Sequence, residues 1–473
     1  MVMNGLKYIL HLLAAVIAAA LFSGCSKDDG PQMTQEEKVL LKINKFVYDV
    51  TAEAYLWRDH IDPSVDYKTA AGPVELLDQM KYKELDKWSY ISSDTDSELD
   101  SFQGVYTTFG YTLALGKFTN LEDTYFAAVA FVYPNSPAQE AGLKRGDIII
   151  SLNGEKITME NYDNLYYSTS INIGIAEYAD GVIKDTGRTI SMSAVKMYED
   201  PVVEAKVLDA GGIKVGYLFY AGFYYESHGK LLQVFNMFRQ AGVTELILDL
   251  RYNPGGDART PPYLASLIAP ESVVKRGDVF LTETWNSLYM DYFKDKGEEM
   301  NSRFIPGIGT NLNLNRVFVL TTGSTASASE ATISGLMPYM DVVTVGSNTY
   351  GKYCGAALIY PTDNKGDKDP DIGNWFLSLI VYKFVNAEGY SEFKNGISAD
   401  YMADDSGLLY GIQLGDPQDP LVAQALAVIE GTKSEAASQT AYPQNLKMLP
   451  RMPVVPSKGG YNILVDRLPL QNR

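Results

Sequence analysis

Thr325-Ala326-Ser327-Ala328-Ser329-Glu330 follows an apolar run, Arg316-Val317-Phe318-Val319-Leu320, and decides how the C-terminal half of the chain is read. The apolar run reads as a buried strand, and the small residues after it as a turn into a helix. A serine at the mouth of a helix is open to a reactant and close to backbone N–H groups that no helical carbonyl satisfies. That geometry suits a nucleophilic hydroxyl. Lys352 stands 25 positions after Ser327, in Tyr350-Gly351-Lys352. The chain has three histidines, His11, His60 and His228, and His11 lies in a segment that reads as removable, so almost nothing but the lysine is left to activate the serine.

Upstream, Glu245-Leu246-Ile247-Leu248-Asp249-Leu250 reads as another buried strand, running into Arg251-Tyr252-Asn253-Pro254-Gly255-Gly256. Paired glycines after a strand let backbone N–H groups approach an anion with no Cβ in the way. Gly216-Tyr217-Leu218-Phe219-Tyr220 is a further strand-like run. At these blocks, over roughly residues 100 to 430, the chain resembles the C-terminal processing peptidases, or tail-specific proteases, which are serine–lysine endopeptidases. The resemblance implies an α/β fold: a ClpP/crotonase-like protease core with an inserted PDZ-like domain and an N-terminal helical domain. It implies Ser327 as nucleophile and Lys352 as general base. It also implies an oxyanion hole from the backbone N–H of Ala328 with that of Gly255 or Gly256, and it calls for no cofactor or metal.

The chemistry is consistent with these roles. A free lysine, with a pKa of about 10.4, is no base at neutral pH, but burial can lower it by about 3 units. One position departs from the family: several members carry a glutamine four residues after the lysine, and here Ala356 stands there. Glu330, one helical turn after Ser327, is either a group that orients the site or a helix N-terminal cap. Asp249 and Arg251 read as a strand-end ion pair that shapes the loop, with direct catalysis as the alternative. Cys354 reads as a small buried residue rather than a second nucleophile.

Pro134-Asn135-Ser136-Pro137-Ala138-Gln139-Glu140-Ala141-Gly142-Leu143-Lys144-Arg145-Gly146-Asp147, followed by Ile148-Ile149-Ile150-Ser151-Leu152-Asn153-Gly154, resembles a PDZ domain. A short helix should turn at Gly142, and a buried strand should end in the Asn-Gly turn. Phe109-Gly110-Tyr111-Thr112 resembles the loop and strand that hold a peptide's C-terminal carboxylate while pairing with it as an added strand.

At the N-terminus Lys7 precedes an apolar run from Tyr8 to Phe22, typical of a secretory signal. Leu21-Phe22-Ser23-Gly24-Cys25 resembles a lipobox, which implies a lipid-modified Cys25. Ser26-Lys27-Asp28-Asp29-Gly30 resembles an acidic export tag that sends lipoproteins to the outer face of the outer membrane. With Cys25 lipidated, Cys354 has no cysteine left to pair with.

The charge of −18 argues against nucleic-acid binding, and 46% hydrophobic residues suffice for a sizeable core. The chain divides into a signal peptide (1–24), a tether (25–34), a helical domain (35–100), the PDZ-like domain (101–198), the peptidase core (199–430) and a proline-bearing tail (431–473). The first helix should bury Val39, Leu40, Ile43, Phe46, Val47 and Val50 on one face. Asp94-Thr95-Asp96 and the alternating Asp367, Asp369 and Asp371 read as solvated turns rather than calcium loops. The expected activity is cleavage of peptides or unfolded protein by a membrane-anchored serine endopeptidase. The alternative is a catalytically weak or inactive lipoprotein that binds peptides or an apolar ligand.

Overall fold

The computed structural model describes residues 33–363, 365–432 and 445–449. The signal sequence, Cys25, most of the tether and most of the tail lie outside these residues.

The core is built on a six-stranded sheet. Its spatial order is Val202–Ala210, Ile213–Tyr220, Glu245–Asp249, Arg316–Thr321, Asp341–Gly346 and Tyr401–Met402. The first pair is antiparallel and every later pair is parallel. Parallel strands need both faces covered, and the apolar runs supply two buried faces. Leu246, Leu248, Val317 and Val319 point to one side, against helices His228–Ala241, Thr260–Ile268 and Ala328–Leu336. Ile247, Phe318, Leu320 and Val345 point to the other, against helix Pro420–Glu430. The loops that leave Asp249 and Thr321 therefore emerge side by side at the carboxyl ends of the two central strands, where α/β folds place their sites.

A second, antiparallel sheet contains Phe376–Asn386, paired on one side with Cys354–Ile359 and on the other with Tyr90–Ser92 and Val279–Trp285. It carries the N-terminal helical segment. The helix Gln35–Ala54 starts at a capping box, with Thr34 Oγ1 accepting from the Glu37 amide and Glu37 returning the bond. Its buried stripe is Ile43, Asn44, Val47, Thr51 and Ala54, whereas Leu40 is exposed. The expected face thus departs from the buried stripe at its start, where Val39 is half-buried and Leu40 exposed.

The PDZ-like unit is a sheet in the order Tyr111–Phe118, Tyr125–Val132, Ile148–Leu152, Ser170–Ala179, Val182–Ser193. A short helix, Pro137–Glu140, ends at Gly142 (φ 74°), and Asn153 and Gly154 both take positive φ in the turn after Ile148–Leu152. Leu446–Met448 adds one more strand to the outer edge of Tyr111–Phe118. The two acidic segments have structural partners: Asp94 caps the helix Thr95–Phe102, and Lys42 Nζ sits 2.6 Å from Asp369 and 2.7 Å from Asp371.

Candidate active site

Ser327 is wholly buried, and its backbone has φ 57° and ψ −111°. A non-glycine residue held there stores roughly 1–3 kcal/mol of strain, which the surroundings must over-determine. Asn253 supplies part of that restraint. Its carbonyl accepts from the Ala326 amide at 3.1 Å and from Ser329 Oγ at 3.1 Å, and its side-chain amide donates to the Tyr220 carbonyl at 2.8 Å.

Glu330 supplies the rest. One oxygen, Oε2, accepts the backbone N–H of Ser327 and that of Lys352, each at 2.8 Å. Oε1 accepts Thr349 Oγ1 and the Gly351 N–H, both at 2.6 Å. Glu330 thus caps the helix and links the lysine segment to the serine turn. Burial pushes its carboxyl up to about 7 against these hydrogen bonds.

Lys352 is also wholly buried, and burial lowers its amine to about 7, with Cys354, Asp86 and Glu330 acting in the opposite direction. The amine stands 5.9 Å from the ring centroid of Trp88. Asp86 is held by Tyr55 Oη at 2.8 Å and by the amides of Trp88 and Ser89 at 2.9 Å. The N-terminal segment thus furnishes two of the lysine's neighbours, neither of which carries a recognisable motif. Ala356 is buried in the strand Cys354–Ile359, beside a bulge. Cys354 is buried, with its thiol pushed up by that burial. The described histidines are engaged elsewhere: His60 stacks on Tyr82, and His228 stacks on Tyr263 with Nε2 at 3.0 Å from Thr260 Oγ1.

The glycine pair lies against this turn. A Cβ on Gly255 (φ 106°) would come within 2.8 Å of Ser327 Cβ and 2.9 Å of the Ala328 nitrogen. The Gly255 N–H already donates to Asn253 Oδ1 at 2.9 Å. Gly256 bridges Phe223 through the flanking Gly255 carbonyl and Asp257 amide, which turns its own N–H away from that bridge. Among the described residues, neither the Gly256 nor the Ala328 N–H has an acceptor.

Asp249 and Arg251 belong to a larger buried cluster. Arg251 contacts Asp249 (2.8 Å), Asp405 (2.9 Å) and Asp419 (2.8 Å), and Asp419 also caps the helix Pro420–Glu430. Arg145, from the PDZ-like unit, reaches the same cluster through Asp405 at 2.6 Å and Tyr252 Oη at 2.8 Å. Burial raises the Asp249 carboxyl, against Arg251 and against Tyr217 Oη, which donates to it at 2.7 Å. We expect Tyr217→Phe to lose about 1–2 kcal/mol in urea unfolding, since a buried carboxylate forfeits one donor.

Phe109 and Tyr111 point into the PDZ core, Gly110 has φ 78°, and its N–H donates to Thr108 Oγ1 at 2.9 Å. Thr112 lines a cavity of about 670 Å³ between this unit and the core, together with Tyr252, Ser324 and Tyr350. The cavity adjoins the segments leading to Ser327 and Lys352.

Fold and site together define an α/β peptidase-type core joined to a PDZ unit, with a serine turn and a buried lysine beyond the carboxyl ends of the central strands. Residues 214–403 match the profile of Peptidase family S41, residues 42–90 that of the Peptidase S41 N-terminal domain, and residues 129–169 that of a PDZ domain. The chain thus carries an S41 peptidase domain with its N-terminal partner and a PDZ domain. Its homologues are carboxyl-terminal processing proteases. It is 25% identical over 284 residues to the chloroplastic C-terminal processing peptidase of Tetradesmus obliquus, covering 57% of this chain and 55% of that protein. It is 24% identical over 347 residues to the carboxyl-terminal-processing protease of a Synechocystis species, covering 71% and 73%. The crystal structure of a Bacteroides fragilis protein assigned as an S41 protease superposes with a TM-score of 0.68 at 25% identity, covering 86% of this chain and 99% of that one.

Proposed function

We propose that the chain is a serine endopeptidase that cleaves peptides or unfolded protein through Ser327 and Lys352. The observation that carries this reading is one carboxylate oxygen of Glu330 gripping the backbones of both a strained serine and a lysine whose amine is lowered to about 7. Neutral Lys352 accepts the Ser327 proton as Oγ attacks the scissile carbonyl, and returns it to the leaving amine. Water, deprotonated by the same amine, then hydrolyses the acyl-enzyme. The N–H groups of Ala328 and Gly256 stabilise the tetrahedral oxyanion, at roughly 3–4 kcal/mol per donor. Gly255 contributes by permitting the approach, since its own N–H is already bound. A catalytically idle binding protein is not favoured, because binding alone gives no reason to bury a lysine beside a strained serine.

The test is mass spectrometry of an unfolded protein incubated with the parent, Ser327→Ala and Lys352→Ala. Cleavage by the parent alone supports the dyad; identical products from all three would overturn it. We further expect Gly255→Ala to lose at least about 100-fold in kcat, because the new Cβ meets backbone on both sides of the serine. Unchanged kcat would exclude the glycine loop from the site.

The PDZ-like unit, in this reading, guides substrate C-termini through Phe109, Gly110, Tyr111 and Thr112. Cys25 is lipid-modified and anchors the enzyme at the outer face of the outer membrane. Cys25→Ser should release the protein from membranes, and digestion of intact cells with an added protease should degrade the parent; a protected parent would place it inside the envelope.

A further inference from the structure

We infer that the outer half of the Tyr111–Phe118 edge is a strand-acceptor site for extended peptide, and that the chain's own residues 445–449 occupy it as a weak, displaceable ligand. Leu446, Lys447 and Met448 pair antiparallel with Phe118, Lys117 and Gly116. The ladder continues at both ends: the Thr119 N–H donates to the Asn445 carbonyl and the Leu449 N–H to the Leu115 carbonyl, each at 2.9 Å.

The bonding positions on the acceptor strand are thus 115, 117 and 119, and strand periodicity makes Leu113 the next outward-facing one. There the edge is closed from within, because the Leu113 N–H donates to Tyr166 Oη at 3.1 Å. The 445–449 segment runs towards Gly110, which is the direction a peptide would take if its C-terminus entered the Phe109–Thr112 loop. A peptide that pairs with positions 115 to 119 and the resident segment therefore exclude each other.

The resident also shows what the site prefers. Leu446 is buried with Phe126, Ala128, Ile148 and Leu408, while Lys447 is exposed and Met448 half-buried. The site therefore selects apolar side chains at alternate positions. Between them, Lys447 stands directly opposite Lys117, and like charges facing across a ladder destabilise it. An acidic residue at that position would pair with Lys117 instead. The favoured partner is an extended apolar–acidic–apolar segment, and the resident carries the opposite charge at the deciding place.

This inference rests on reading the strand as a peptide acceptor, and its test reads binding rather than cleavage. The full chain with Ser327→Ala and Cys25→Ser is titrated with labelled Ser-Ser-Asn-Leu-Glu-Met-Leu-Ser-Ser, and with the same peptide carrying Lys for Glu. Lys447→Pro removes a ladder donor and vacates the edge. The pair Leu446→Cys with Phe118→Cys locks the edge when oxidised. A tethered ligand competes at millimolar effective concentration, so the vacated form should bind the Glu probe at least about tenfold more tightly than the unvacated chain. The locked form should bind only after reduction, and the Glu probe should exceed the Lys probe by about two- to fivefold. Equal affinity across vacated, unvacated and locked forms, or no binding to the vacated form, would overturn the proposal. Failure of the proposed catalysis would leave the test unaffected, because the nucleophile is already absent.

Discussion

Lys352→Met is expected to make the protein more stable while abolishing its activity. The amine is lowered from 10.5 to about 7 by burial, so the unfolded chain binds more protons than the folded one between those values. The penalty is at its full size below about pH 7, shrinks as pH rises, and vanishes near 10.5. At about 1.4 kcal/mol per unit its ceiling is about 5 kcal/mol, and relaxation around the site brings the expected gain to roughly 2–5 kcal/mol at pH 6. Methionine keeps the length and removes the charge. Urea unfolding of parent and variant at pH 6 and pH 10 separates charge from packing: the gap should fall below about 1 kcal/mol at the higher pH. An equal gap at both would assign the effect to packing. For the parent, kcat/KM should rise with pH through an inflection near 7 as the amine loses its proton. The variant should lose at least about a thousandfold.

Much of this arrangement was legible in the sequence because it is local. The strands at 245–249 and 316–321 are unbroken apolar runs, and Ser327 follows the second through small residues that can turn. The Asn153-Gly154 turn and the Gly142 helix end were legible for the same reason, since each depends on one or two backbone conformations. What stayed hidden depends on distant partners. Trp88 and Asp86 carry no motif, and their proximity to Lys352 exists only because the Tyr90–Ser92 strand pairs with Phe376–Asn386. Arg145 lies inside the PDZ-like motif, yet its ion pair with Asp405 joins two folding units. Leu446–Met448 is a short alternating run whose strand character comes from the edge that receives it.

The second large effect is expected at Glu330, and it separates positioning from stability. Glu330→Gln leaves the hydroxyl of Ser327 and the amine of Lys352 chemically intact. The carboxylate accepts four donors, two on each oxygen, and three of them are backbone N–H groups that cannot reverse. A glutamine carbonyl can serve one pair, but its NH2 must then face an N–H that is also a donor. The serine turn and the lysine segment lose their common clamp. Stability responds in two opposing ways. Burial raises this carboxyl from 4.5 to about 7, so its contribution is fully present below pH 4.5 and is lost as pH rises towards 7. Neutralising it removes that penalty, while the stranded N–H groups cost about as much, so the net change should stay within about 1–2 kcal/mol. Activity has no such offset, and kcat at pH 8 should fall about 100-fold, with KM little changed. Below pH 7 the parent's own Glu330 takes up a proton and comes to resemble the amide, so the ratio of parent to variant should shrink there. The measurement is the pH profile of kcat for both proteins; a ratio independent of pH would remove Glu330 from the positioning role. Glu330→Ala should behave differently, losing about 3 kcal/mol or more, because it strands all four donors and opens a cavity at the helix start.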